Sequence, residues 1–208
     1  MRDFLVLARR AFDADHGVAY AARLAARLRA SLTGLHVPVG VAPLPAYDVD
    51  TVMAQYAAWA GAELERARAL APGFEAWASS LGVAHPTWLV ADGPVGALVR
   101  YVGHWHDLLV VGADPEDPWT APGGLADLLL DAGLPCVVVP AAAPAEAVRL
   151  DCVAVAWNGS VEAIRALHAA RPLLQQAARV QLLVGEGRSY GGSWPAFPLE
   201  HWCEAHGL

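Results

Sequence analysis

Short apolar runs of β-type residues alternate along the chain with longer stretches in which apolar positions recur every three or four residues, the pattern of parallel strands joined by crossover helices. Leu5, Val6 and Leu7 open it as a buried strand. Asp15 stands where a helix N-cap belongs, and Val18, Ala22, Ala25 and Leu28 then repeat at helical spacing with Arg23, Arg27 and Arg29 between them. Residues 32–37 read as a second strand, followed by a loop carrying Pro38, Pro43 and Pro45. From Thr51 an alanine-rich helical region runs to Leu81-Gly82, interrupted near Pro72-Gly73. A third strand is expected over 87–90. Asp92-Gly93-Pro94 then starts a helix with Val95, Leu98, Val102 and Trp105 on one face. A fourth strand over 108–111, a short helix over 124–132 and a fifth strand over 136–139 complete the series.

The Ala- and Pro-rich stretch that begins at Pro140 is the one convincing linker, and the residues beyond it repeat the beginning of the chain. Val153-Ala154-Val155-Ala156 parallels Leu5-Val6-Leu7-Ala8, and a helix with Ile164, Leu167 and Leu174 answers the first helix. Near the end, Glu200, Trp202 and Gly207 repeat the spacing of Glu75, Trp77 and Gly82. The expected organisation is therefore a first module over 1–141, a linker over 142–149, and over 150–208 the first half of a second module whose later strands lie beyond the sequence.

Composition narrows the function classes. A 56% hydrophobic content over 208 residues suffices for a packed core. The net charge of −7 without any basic run disfavours nucleic acid as a partner. No segment approaches about 18 uninterrupted apolar residues and none resembles a secretory leader, so no membrane partner is expected. Three cysteines without CxxC spacing fit a reducing, cytoplasmic setting.

Candidate chemistry is sparse. Trp157-Asn158-Gly159-Ser160 comes after the strand of the second module, where Asn and Gly suit a tight turn and Ser160 can cap the next helix. The same residues stand at the carboxyl rim of a parallel sheet, where ligands bind and where a helix N-terminus favours anions. His201, Cys203 and His206 have ligand chemistry, but their spacing does not put all three on one helical face, and no metal is assigned. His36 reads as a rim or core histidine, and His104 and His106 as local partners of a helix C-terminus. No catalytic residue can be assembled from local sequence context.

The stretch 155–160, with Glu162-Ala163 and Pro172-Leu173-Leu174, resembles the first strand and helix of a tandem universal stress protein. In the first module, Asp92-Gly93-Pro94, 107–112, 123–126 and 135–137 resemble that family's later turns, strands and helix. The resemblance implies a doubly wound five-stranded parallel α/β sheet in the order 3-2-1-4-5, adenine nucleotide alpha hydrolase-like, followed by an incomplete second copy. It also implies an ATP-site rim, which here would comprise Val37, Gly112, Gly123 and Gly124 with Asn158, Gly159 and Ser160.

Against that pattern, the acidic position after the first strand holds Arg9, or Arg10 if the alignment shifts by one, a donor in place of an acceptor. Pro115 replaces a loop glycine, and Asp114, Glu116 and Asp117 bring negative charge where phosphates would lie. The expectation is a non-enzymatic stress-response or regulatory protein with no cofactor, acting through a homodimer or a bound partner. The alternative is an adenine-nucleotide (ATP)-binding protein with weak ATPase activity. An enzyme of the adenine nucleotide hydrolase superfamily is a third reading, without a signature loop to support it.

Overall fold

Phe4 to Ala8 are buried without interruption, as a strand must be when both faces of its sheet are covered. The computed structural model of the chain describes residues 1–38, 49–113, 124–143, 148–184 and 199–208. It falls into two compact units, Met1–Val148 and Arg149–Leu208.

In the first unit the strands are β1 (Asp3–Ala8), β2 (Ser31–His36), β3 (Pro86–Val90), β4 (Leu108–Ala113) and β5 (Cys136–Pro140). All pair in parallel in the order β3-β2-β1-β4-β5, the expected doubly wound sheet. The helices are α1 (His16–Leu28), α2 (Val49–Arg68), α3 (Ala71–Ser80), α4 (Val95–Gly103) and α5 (Gly124–Ala132). The long helical region breaks a little before Pro72, because proline in a first turn forfeits no helical hydrogen bond and so starts α3 rather than interrupting α2.

Leu5, Leu7, Leu35, Leu109 and Val111 share one face of the sheet with Val95 and Val99 of α4 and Leu128 and Ala132 of α5. The opposite face packs on α1 and α3. There Gly34 leaves room for Trp88, since a Cβ on Gly34 would sit 2.5 Å from the indole. The Trp88 indole N–H donates to the Ala67 carbonyl at 3.0 Å, which ties α2 to β3. Trp105 departs from the expected core face: α4 ends at Gly103, the helical spacing no longer applies beyond it, and the indole is 79% exposed.

The second unit holds β6 (Val153–Trp157), α6 (Val161–Leu174), β7 (Val180–Val184) and α7 (Leu199–Ala205), with β6 and β7 in parallel. Along β6, half-buried Val153, Val155 and Trp157 alternate with exposed Ala154 and Ala156. Val153, Val155 and Trp157 thus share one partly covered face of β6, whereas β1 is buried on both faces. The end of α7 is built like the end of α3. Gly82 and Gly207 both take positive φ, at 96° and 68°. The next amide returns to the helix in each, Val83 to the Ala78 carbonyl at 3.1 Å and Leu208 to the Cys203 carbonyl at 2.9 Å.

Candidate functional site

In a doubly wound sheet the ligand position lies beyond the carboxyl ends of the strands where the order reverses, here between β1 and β4. Asp15 occupies the helix end that faces it. Its Oδ1 accepts from the amides of Gly17 at 2.9 Å and Val18 at 3.2 Å, the N-cap expected of it. Its Oδ2 accepts from the amides of Arg9 at 3.0 Å and Arg10 at 3.5 Å. The carboxylate is 8% exposed and meets the α1 amides as a bound anion would. An acidic group is therefore present beside β1 after all, but it reaches there from the start of α1 and satisfies the chain's own amides.

Behind Asp15, helix and strand touch backbone to backbone. A Cβ on Gly17 would lie 2.8 Å from the Gly112 amide nitrogen, and a Cβ on Gly112 would lie 3.2 Å from the His16 ring. The cavity bounded by Leu7, Arg9, Arg10, Ala14, Asp15, His16 and Gly112 is about 20 Å³, room for about one water. Across it, the His16 Nε2 lies 3.3 Å from the Val139 carbonyl of β5.

Val37, placed by sequence on the rim, is buried in the core cluster under α4 and α5. Gly124 is the first residue of α5; Gly123, Asp114, Pro115, Glu116 and Asp117 lie outside the described residues. His36 stacks on Trp88 with ring centroids 5.7 Å apart, its Nδ1 3.0 Å from the Ala8 carbonyl. Burial lowers its pKa, opposed by that hydrogen bond and by the charges of Asp15 and Glu63. A neutral ring donating its Nδ1 proton to that carbonyl satisfies this geometry, so His36 closes the end of the β1–β2 pair.

In the second unit, the Asn158 Oδ1 accepts from the Ser160 amide at 3.0 Å, Gly159 has φ of 75°, and the Ser160 Oγ accepts from the Ala163 amide at 3.1 Å. The three residues thus build the turn and cap. An open depression of about 490 Å³ runs past them, lined in part by Trp157, Asn158, Ser160, Glu162 and Leu183. The Glu162 carboxyl is held below its ordinary pKa by hydrogen bonds from backbone and Ser160, so it stays negative beside the helix N-terminus.

Burial pushes the Cys136 thiol up to about 12, and burial with the charges of Glu200 and Glu204 raises that of Cys203. His104 and His106 have Nδ1 atoms 3.3 Å from the Tyr101 carbonyl and 2.8 Å from the Val102 carbonyl, the local helix-end role expected of them. Cys203 turns inward, whereas His206 stacks on Trp202 at 4.1 Å. Sequence reasoning missed the second role of Asp15 and the Gly17–Gly112 contact. The glycine pair carried a weak signal, a glycine in a helix's first turn and another in a buried strand.

No family model matches the sequence, and no curated protein does either. Solved structures do resemble the fold. A universal stress protein from Archaeoglobus fulgidus DSM 4304 superposes with a TM-score of 0.61 at 15% identity, over 99% of this chain and 72% of that one. The universal stress protein UspA from Lactobacillus plantarum gives 0.49 at 15% identity, over 66% of this chain and 97% of its own. A universal stress protein solved in complex with cAMP gives 0.39 at 14% identity, over 66% and 95%.

Proposed function

We propose that this chain, which has the universal stress protein fold, is a non-enzymatic stress-response or regulatory protein of the cytoplasm that acts by self-association or partner binding and does not turn over nucleotide. One observation carries the reading: at the switch point Asp15 already meets amides of α1, and the cavity that the described residues bound there is about 20 Å³. Residues 1–141 are the complete module, 142–149 the linker and 150–208 a partial second copy. The soluble character fits the absence, among the described residues, of a helix long and apolar enough to cross a membrane. Equilibrium dialysis with labelled ATP and Mg²⁺ tests the nucleotide part. No saturable binding below millimolar is expected, and a Kd tighter than about ten micromolar would overturn it.

The contact proposed for a homodimer is the outer edge of β5. That strand ends the sheet order, is hydrogen-bonded to β4 on one side, and is uncharged from Cys136 to Val139, with Val138 38% exposed. Apolar sheet edges of this kind are normally covered, charged or paired, and a two-fold axis lets one edge pair with itself. Light scattering at micromolar concentration should give twice the chain mass, and Val138→Lys should halve it. A stable monomer in the unsubstituted protein would sink the dimer.

A second reading, weak adenine-nucleotide binding with slow hydrolysis, draws on the depression beside Asn158. Glu162 opposes it, because its negative charge stands where phosphates would approach the α6 N-terminus.

A further inference from the structure

The two units treat one position differently, and the difference leaves a small site in the second. In the first unit, Phe12, from the segment 9–15 between β1 and α1, sits against the face of α3. Its ring lies 5.7 Å from Phe74, 5.4 Å from Trp77 and 6.2 Å from Trp88, centroid to centroid. Gly73 admits it closely, with ring atoms 3.4 and 3.5 Å from where a Cβ would stand. The chain's own aromatic ring thus closes that side of α3.

In the second unit, α7 stands where α3 would, with Leu199 at the position of Phe74 and Trp202 at that of Trp77. The connection from β6 to α6 is only 158–160 and carries no aromatic residue. Among the described residues no ring takes that place, and Trp157, Ile164, Leu167, His168, Leu199 and Trp202 line a groove of about 240 Å³. Its Trp202 wall is held in place: the indole stacks on His206 at 4.1 Å, and the His206 Nδ1 lies 2.8 Å from the Trp202 carbonyl. The Gln175 amide in turn donates to the His206 carbonyl at 3.0 Å. His168 meets the edge of Trp202 at 5.1 Å and is the one ionisable group among the described lining residues.

We propose that this groove binds a small, uncharged, planar aromatic molecule of one or two rings, taking the place that Phe12 takes in the first unit. Indole and imidazole walls favour offset or edge-on aromatic contact, and Ile164, Leu167 and Leu199 supply an aliphatic floor. The volume lies below the ~300–1,000 Å³ typical of sites for drug-sized ligands, which limits the occupant's size. The described lining residues include no arginine to compensate a phosphate, and Trp157 alone borders both this groove and the depression beside Asn158 among those named for each.

Indole is the probe, titrated into the full chain and followed by saturation-transfer NMR and calorimetry. One saturable site per chain is expected, with a Kd between about 10 µM and 1 mM, as suits so small a ligand. Ile164→Trp, at a side chain 42% exposed, should fill the groove and weaken indole at least tenfold while the circular dichroism and melting curve stay unchanged. Phe12→Ala should add a second indole site in the first unit, and where that variant melts early, Phe12→Leu serves the same purpose. ATP titrated in parallel should not displace indole. Absence of saturable binding, or equal affinity in Ile164→Trp, overturns the proposal and leaves the reading of the first unit untouched.

Discussion

β1 and β6 begin their units in the same way, a strand running into a capped helix, yet β1 is buried at five consecutive positions and β6 at alternate ones only in part. The difference lies in the number of layers. β1 has strands on both sides and helices on both faces, whereas β6 is paired with β7 alone in its two-stranded sheet. The side chains match their surroundings: Leu5 and Leu7 of β1 lie under α4 and α5, and Ala154 and Ala156 of β6 are small and exposed. Along β6 the open face is alanine, although Leu183, beside Ala156 on β7, is a large aliphatic residue left half exposed.

The strongest way to break this comparison is to empty each core in turn. Phe74 is fully buried among Phe12, Trp77 and Trp88, and Phe74→Ala should cost about 3–5 kcal/mol in urea denaturation. Leu167→Ala should cost about 2 kcal/mol, the low end for such truncations, because the groove beside it is already open. A larger loss for Leu167→Ala would reverse the ranking of the two units.

The caps give the next largest effect. Asp15 meets four amides and Ser160 one, so Asp15→Ala should lower stability by about 2 kcal/mol and Ser160→Ala by about 0.5–1 kcal/mol. Asn158→Ala should also cost about 1 kcal/mol, with nucleotide affinity unchanged. Equal losses at Asp15 and Ser160 in thermal melts would show that the contacts to Arg9 and Arg10 contribute nothing.

The smallest effect is one of pH. Burial lowers the folded pKa of His36 below the unfolded value near 6.5, so the unfolded state binds more protons in that range. The stability that this confers is complete above about pH 6.5 and falls as the pH drops through the lower, folded value. His36→Gln should remove part of the slope of stability against pH just below about 6.5. A wild-type slope retained in that variant would assign it to other groups.

Much of the first unit was legible because its signals are local. The apolar runs, the N-cap at Asp15 and the short helix 124–132 all depend on residues within a turn or two of one another. The parallel order was legible through family resemblance, since periodicity does not say which strands are neighbours. The site was less legible, because it is made by contacts across the fold. Val37, expected at the rim, is also packed into the core cluster, and Trp105 reads as core and is exposed because α4 stops at Gly103.

By itself the sequence determined the alternation of strands and helices, the caps, and the repeat from Glu75, Trp77 and Gly82 to Glu200, Trp202 and Gly207. Tertiary structure alone decided that the second oxygen of Asp15 meets the amides of Arg9 and Arg10, and that Gly17 lies against Gly112. It alone decided that Phe12 packs against Phe74 and Trp77, and that Trp157, Leu167 and Trp202 border one groove. Propensity and capping act along the chain within a few residues, whereas the filling of a space depends on which distant segments are brought to face it, and neighbouring residues carry no record of that.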